Sequence, residues 1–303
     1  MVHPGKLKPV ITREISSLPQ RADDAHKGNV GRLVIIGGCV NPTGAMIGAP
    51  ALAANAAFRT GAGLVQLVVP PAIQNAVAVL AWCATLRSLP PRGRGLGRLV
   101  EEFQADAVAV GPGLGGSISS GALLELLHAF RGPVVLDAEA LNLLATLPTP
   151  ELPDAQRLIL TPHPGEARRL LAGRPAAADA GTDDSPKQRQ RTALALVATY
   201  GCTVVLKGHG TVVTNGQRLY VNETGNSGMA TGGAGDVLTG VIAALLGQKM
   251  EPLEAAILGV HLHGLAGDFA AEELGRASMT AADLVEFLPD AFFDHEALEE
   301  GPG

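Results

Sequence analysis

Arg32-Leu-Val-Ile-Ile-Gly37, then the small-residue stretch Ala45 to Thr60, then Leu64-Val-Gln-Leu-Val-Val69 is the passage that decides the fold. An unbroken apolar run that stops at glycine reads as a strand buried on both faces, because a strand with one wet face would alternate. Ala45 to Thr60 reads as a helix, and Pro70-Pro71 closes the second strand. Strand, crossover helix and strand make a βαβ unit, whose two strands run parallel.

The same rhythm continues outward. Asp106 to Val110 reads as a strand followed by Gly111-Pro-Gly-Leu-Gly115, and Leu123 to Phe130 as a helix. Pro133 to Leu136 is a strand ending at Asp137, and Arg157 to Leu160 one ending at Thr161-Pro162. From Cys202 the pattern shifts to three short strands, Cys202 to Lys207, Thr211 to Thr214 and Arg218 to Val221. Gly208, Gly210 and Asn215-Gly216 separate them, and Asn-Gly between apolar runs is a strong hairpin signal. Long helices follow at Ala234 to Leu246, Pro252 to Ala271 and Ala281 to Leu288, the last opened by the capping pattern Thr280-x-x-Asp283. The expectation is an α/β protein with a mainly parallel central sheet and antiparallel strands near one edge. Residues 1–303 read as one domain without internal repeats, with an exposed loop at 172–186 and a frayed acidic tail at 294–303.

Composition narrows the function classes. Of 303 residues 47% are hydrophobic but only 3% aromatic, so Ala, Val and Leu must build the core. The net charge of −6, with no basic stripe, argues against nucleic acid as a partner. Cys39, Cys83 and Cys202 are widely spaced, odd in number and without zinc-type spacing, as expected of small buried hydrophobes in a reducing compartment. No apolar signal region follows Met1. The apolar stretch Ala45 to Phe58 holds Gly48, Pro50 and Asn55 and falls short of the roughly 20 residues that span a bilayer. A cytoplasmic protein without membrane contact is expected.

The most informative stretch is Gly225-Asn-Ser-Gly-Met-Ala-Thr-Gly-Gly-Ala-Gly-Asp-Val-Leu-Thr-Gly240. Glycines crowd the region just before an apolar helix. They let backbone approach a ligand closely, and the first amides of a helix lack internal partners and favour an anion. Gly232, Gly233, Ala234 and Gly235 would form such an anion hole. Asp236, in the first helical turn, is placed to take a proton from a hydroxyl that attacks phosphorus. No Lys-Ser/Thr follows the glycines, so this is not a Walker A loop, and a Rossmann fingerprint would follow the first strand instead. A glycine-rich helix cap is the bland alternative, disfavoured by how far upstream the glycines and Thr224, Asn226 and Thr231 extend.

Other candidates sit at strand ends. Lys207-Gly-His-Gly-Thr211 can face a phosphate or a nucleotide, or can be an edge lysine before a turn. Thr161-Pro-His-Pro-Gly-Glu166 stiffens His163 at the carboxyl edge of the sheet, where α/β folds bind ligands; a helix-capping histidine is the alternative. Gly111 to Gly115 can touch substrate or merely turn the chain. Asp137 can serve Mg²⁺, a ribose or a helix cap. His26-Lys27-Gly28 can lie near phosphates or in a flexible arm. His261 and His263, two apart, do not share a helix face. No serine has a Gly-x-Ser-x-Gly setting, so a hydrolase triad finds no support.

With these motifs in hand the chain resembles the bacterial ADP-dependent NAD(P)H-hydrate dehydratases of the ribokinase-like superfamily. The matching segments are Ala25-His-Lys-Gly28, Val34-Ile-Ile-Gly-Gly38, Gly44-Ala45, Arg59-Thr-Gly-Ala-Gly63, Gly111-Pro-Gly-Leu-Gly115, Leu136-Asp-Ala138, Leu160-Thr-Pro-His-Pro-Gly-Glu166, Val205-Leu-Lys-Gly208 and Gly232-Gly-x-Gly-Asp236. They run in family order over residues 11–290. The resemblance implies a three-layer αβα fold and a repair reaction. The S-epimer of hydrated NADH or NADPH is dehydrated at the expense of ADP, giving AMP and phosphate, with Mg²⁺ as cofactor and ATP as an alternative donor. It implies Asp236 as catalytic base and substrate contact, and Ala45, Gly113 and His163 around the hydrated cofactor. Lys207, Gly208, His209, Gly210, Thr211 and Gly235 would bind the nucleotide. It further implies a homotetramer served by a separate NAD(P)H-hydrate epimerase, since many relatives carry that domain ahead of this one.

Three positions depart from the family pattern. Ala234 stands where threonine is usual, so a hydroxyl able to touch phosphate is missing, and Thr231 or Thr224 is the expected substitute. Ser227 replaces a common proline, and Glu139 a common aspartate. The alternatives are a ribokinase-like kinase acting on a vitamin precursor such as hydroxyethylthiazole, or a non-catalytic nucleotide-sensing module.

Overall fold

The computed structural model describes residues 7–148, 152–180, 183 and 185–300. Its strands are β1 (Val10–Thr12), β2 (Arg32–Ile36), β3 (Cys39–Asn41), β4 (Gly44–Met46), β5 (Leu64–Val69), β6 (Thr85–Ser88), β7 (Ala107–Val110), β8 (Val134–Leu136), β9 (Leu158–Leu160), β10 (Thr203–Leu206), β11 (Val212–Thr214) and β12 (Arg218–Val221). Ten of them form one sheet in the order β1-β12-β11-β10-β9-β8-β7-β2-β5-β6. Every neighbouring pair is parallel except those made by β11, which runs against both β10 and β12. The expected antiparallel pairing near one edge is therefore the work of a single reversed strand. Asn215 makes the reversal into β12: its Oδ1 accepts the amides of Gln217 and Arg218, both at 3.0 Å, while Gly216 takes φ +88°.

The helices are α1 (Gly48–Arg59), α2 (Gln74–Leu80), α3 (Leu96–Phe103), α4 (Ser120–Ala129), α5 (Glu139–Ala145), α6 (Pro164–Leu171), α7 (Pro186–Tyr200), α8 (Ala234–Gly247), α9 (Pro252–Leu274) and α10 (Ala281–Glu300). They cover both faces of the sheet, which is why its central strands read as continuous apolar runs. In β2, Leu33 and Ile35 pack toward α1, α8, α9 and α10, whereas Val34 and Ile36 pack toward the other helical layer. In β7 the first face carries only Ala107 and Ala109. Small side chains there let α8 lie close to the sheet centre, and α8 is buried from Val237 to Gly247. At Gly240 a Cβ would stand 2.1 Å from the Ala53 carbonyl oxygen, so α1 and α8 touch backbone to backbone. The alanine-rich core exists to allow that approach.

Several expectations are corrected. The helix expected from Ala45 begins at Gly48, because 39–46 form a separate hairpin. Val40 pairs with Ala45, and the Asn41 carboxamide oxygen accepts the Thr43 amide at 3.0 Å to make the turn. The segment read as an exposed loop at 172–186 contains a 3₁₀ turn at Pro175–Ala178 with Ala176 buried; 181, 182 and 184 lie outside the described residues. The acidic stretch read as a frayed tail is helical through Glu300, tied down by buried His295, whose ring lies 5.4 Å from that of His261; 301–303 lie outside the described residues. The N-terminal arm pairs with β12 through β1. His26-Lys27-Gly28 packs where a Cβ on Gly63 would meet the Lys27 carbonyl oxygen at 2.3 Å. That is the amino-terminal end of β2 and β5, opposite the edge where the phosphate-facing candidates gather. Among the described residues no helix is long and apolar enough to cross a membrane.

Candidate active site

The carboxyl ends of the central parallel strands finish together. The Gly111 amide donates to Ile36, that of Asp137 to Val110, that of Thr161 to Leu136, and that of Lys207 to Pro162. Four segments singled out from sequence thus meet at one sheet edge, where open α/β sheets bind ligands. The amino terminus of α8 points into the same place. Its N-cap, Gly233, has φ +99°, a conformation costly for any residue with a Cβ. Among the described residues the amides of Gly233, Gly235 and Asp236 find no acceptor, and the space around Gly232 is open. These are the orphan donors that a helix start offers to an anion.

Asp236 is half-buried in the first turn of α8. Burial, reinforced by the nearby Asp137 charge and only partly opposed by Lys207, pushes its carboxyl from 3.8 up to about 7. The opposition is partial because Lys207 is committed elsewhere. Its Nζ donates to Asp137 Oδ1 at 2.5 Å. Thr161 Oγ1 donates to the same oxygen at 2.8 Å, and Thr239 Oγ1 donates to Asp137 Oδ2 at 2.9 Å. Asp137 is 1% exposed, so it neither caps the following helix nor reaches a ribose. One ammonium cannot neutralise two carboxylates, and the buried one holds it. A Cβ at Gly235 would stand 3.3 Å from Lys207 Nζ, which puts the ammonium at the mouth of the anion hole.

A cavity of about 750 Å³ opens beside the start of α8. It is lined by the whole Lys207 to Thr211 turn, by His163, and by Thr231, Ala234 and Gly235. The expected nucleotide residues therefore share one wall. Gly208 and Gly210 take φ +136° and +62° to make that turn, and Thr211 Oγ1 closes it by donating to the Gly208 carbonyl at 2.9 Å. Gly113 is buried where a Cβ would meet Met46 and Ala49, which brings it beside Ala45 on the β3–β4 hairpin. Asp236, Gly113 and Ala45 do not line this cavity, whereas His163, expected beside the hydrated cofactor, lines it together with the expected nucleotide residues.

His163 serves two ends. Its Nδ1 accepts the Gly165 amide at 3.0 Å, and Glu166 returns a bond to the His163 amide at 2.9 Å, a reciprocal cap on α6. The ring is half-exposed and lines the cavity, so the capping role fixes the imidazole where a ligand can meet it.

The glycine-rich loop is more structural than its composition suggests. At Gly228 a Cβ would meet the Arg276 carbonyl oxygen at 2.7 Å, and Gly225 has φ +97°. The loop is tied to α9 by Asp268, which accepts the Gly225 amide at 2.7 Å and the Asn226 side chain at 3.0 Å. Thr224 Oγ1 donates to the His261 carbonyl at 2.9 Å, so its hydroxyl does not stand in for the one missing at Ala234. Thr231 lines the cavity and is the hydroxyl left near that position. Ser227 starts a 3₁₀ turn capped by Asn226.

Sequence reading did not find Thr239, Asp268 or His263 as site residues. His263 is buried, pushed down to about 4 by that burial, and its Nε2 bonds the Ala234 carbonyl at 2.9 Å, which steadies the first turn of α8. Thr239 carried a usable signal: it lies three residues beyond Asp236, on the same helix face.

A family model described as NAD(P)H-hydrate dehydratase matches residues 33–290. The chain is 43% identical over 288 residues to a bifunctional NAD(P)H-hydrate repair enzyme of Moorella thermoacetica, covering 90% of this chain and 51% of that one. It is 42% identical over 271 residues to an ADP-dependent (S)-NAD(P)H-hydrate dehydratase of Neisseria meningitidis, covering 85% and 83%. Against the Bacillus subtilis ADP/ATP-dependent NAD(P)H-hydrate dehydratase crystallised with ATP and Mg²⁺, the TM-score is 0.72 at 28% identity, over 92% of this chain and 95% of that one. The chain spans about half the length of the bifunctional relatives it matches. The expected ribokinase-like three-layer architecture is the one observed.

Proposed function

Because the chain belongs to the NAD(P)H-hydrate dehydratase family, we propose that it restores NADH or NADPH from the S-epimer of the hydrated cofactor while converting ADP to AMP and phosphate. The observation that carries this reading is Asp236: a carboxylate with raised proton affinity, beside unpartnered helix amides and the Lys207 ammonium, at the edge of a cavity large enough for a nucleotide.

The chemistry follows from that arrangement. The hydroxyl of the hydrated nicotinamide ring attacks the β-phosphorus of ADP, and Asp236 takes its proton as the O–P bond forms. AMP leaves. The amides of Gly233, Gly235 and Asp236, with Lys207, stabilise the charge on the phosphoryl group in transfer. The phosphorylated oxygen is then a good leaving group. The ring nitrogen donates its electron pair, the C–O bond breaks to release phosphate, and loss of a ring proton restores the double bond. The turn from Lys207 to Thr211 holds the nucleotide, and Ala45, Gly113 and His163 hold the hydrated cofactor.

A Mg²⁺ ion would be held chiefly by the nucleotide's phosphate oxygens and water, the usual manner for that cation; among the described residues there is no cluster of three metal-ligating side chains. When bound, it would neutralise diphosphate charge. The same reading takes the protein as a cytoplasmic homotetramer that works alongside an NAD(P)H-hydrate epimerase activity; light scattering tests the tetramer.

The direct test is to incubate the protein with hydrated NADPH, Mg²⁺ and either ADP or ATP and follow the reduced-nicotinamide absorbance. Recovery that requires the nucleotide is expected. No recovery with either nucleotide refutes the proposal, and a stable phosphorylated product would assign a kinase instead.

A further inference from the structure

Asp137 is a charged side chain that the reaction above does not use, and it is among the most deeply buried carboxylates of the protein. Isolated charges are not buried without reason, because their desolvation is costly and must be offset by partners. Asp137 has three: Lys207 from the end of β10, Thr161 from the end of β9 and Thr239 from α8. They occupy both of its oxygens. The residue therefore joins two strand ends to the very helix whose amino terminus forms the anion hole, and it does so one turn below Gly235 and Asp236.

What the cluster fixes is the Lys207 ammonium. A lysine has four rotatable side-chain bonds and a strongly hydrated head, so at a sheet edge it extends to water unless it is held. Here it is held on one side by Asp137 and faces the α8 tip on the other, within 3.3 Å of where a Gly235 Cβ would be. The alternative partner for a released Lys207 is Asp236, and an ion pair there would occupy the base.

We infer that Asp137 is a positioning residue: it holds the Lys207 ammonium at the anion hole, where the transferred phosphoryl group gathers charge, and keeps it off Asp236. The inference rests on the proposed phosphoryl-transfer reading of this site. Thr161 and Thr239 orient the Asp137 carboxylate for that task. Lys207 contacts the reacting group; Asp137 acts only through it.

The test is a double-mutant cycle on the intact chain, read by kcat for nucleotide-dependent recovery of NADPH and by the Kd for ADP. Removing one preorganised donor from such a hole costs on the order of 10²-fold to 10³-fold in kcat, so Lys207→Met is expected in that range. Asp137→Asn keeps the shape but loosens the ammonium, and a loss of roughly 10-fold to 100-fold in kcat is expected, with Kd for ADP within about 3-fold. In the Lys207→Met background the Asp137→Asn change should cost less than about 3-fold, because its target is gone. Independent effects that multiply, or an Asp137→Asn enzyme with wild-type kcat, overturn the inference. Should Asp137→Asn fail to fold, Thr239→Val removes one of the donors to Asp137 and carries the same test, with a loss of about 3-fold or more that vanishes in the Lys207→Met background. A wild-type protein with no nucleotide-dependent recovery would instead remove the proposed function, so the two failures are distinguishable.

Discussion

Replacing Asp236 by Asn should inactivate the protein and at the same time make it more stable, by an amount that depends on pH. The folded state raises this carboxyl from 3.8 to about 7, chiefly by burial, then by the neighbouring Asp137 charge, against the smaller opposing effect of Lys207. A carboxyl raised on folding is a group whose neutral form the fold prefers. Its stabilising effect is complete below the unfolded value near 4 and is lost as pH rises through the folded value near 7. Above that the wild-type fold carries a charge it disfavours by about 4 kcal/mol, an upper figure because the group is only half-buried. Asn is neutral at every pH. At pH 5 part of the cost is already present, because the unfolded chain is ionised there; by pH 8 it has reached its limit. The stability gap between Asp236→Asn and wild type should therefore widen from pH 5 to pH 8, by about 2.5 kcal/mol at most. Urea denaturation followed by circular dichroism at pH 5, 6, 7 and 8 measures it, with the slope of each transition checked for constancy. A gap that stays flat across this range would refute the account of Asp236's surroundings. The same variant should lose about 10²-fold to 10⁴-fold in kcat, the usual contribution of a general base.

Four further outcomes are expected. With a folded value near 7, Asp236 is about 9% ionised at pH 6 and about 91% at pH 8, so kcat/KM should rise roughly tenfold over that interval; a flat profile would remove it as the base. Gly240→Ala places a Cβ 2.1 Å from the Ala53 carbonyl oxygen and must part α1 from α8, costing about 1–3 kcal/mol in thermal or urea unfolding, with the ADP Kd unchanged. Gly235→Ala presses on the end of the Lys207 side chain instead of on backbone, at 3.3 Å, and displaces the ammonium from the anion hole, so kcat should fall about tenfold or more while the melting temperature stays within a few degrees. His163→Ala removes both the α6 cap and a cavity wall: about 1 kcal/mol of stability should be lost, with a raised KM for the hydrated cofactor.

The sequence by itself determined the layered α/β plan and singled out the segment proposed as the reaction centre. Apolar runs with no polar alternation can only be strands covered on both sides, so β2, β5, β7, β8, β9 and β10 and the direction of their crossovers were legible. Asn215-Gly216 announced the reversal into β12. Asp236 stood out as a candidate because helix amides, glycines and carboxylate lie within five residues, and contiguous chemistry survives in a linear reading. Short or polar-faced elements were not. The helix from Pro186 opens with Lys187-Gln-Arg-Gln-Arg191, and β1, β6 and the β3–β4 hairpin gain their pairing from neighbours rather than from their own pattern. Only the tertiary structure decided which carboxylate takes the lysine. Asp137 and Lys207 are 70 residues apart, and Thr239 is 102 from Asp137. Until the sheet brings three strand ends under α8, nothing distinguishes Asp137 as a metal ligand, a ribose contact or a cap. The fold buries it, satisfies both its oxygens and leaves Asp236 with the raised proton affinity. Burial and charge proximity are properties of assembled space, and no local pattern encodes them.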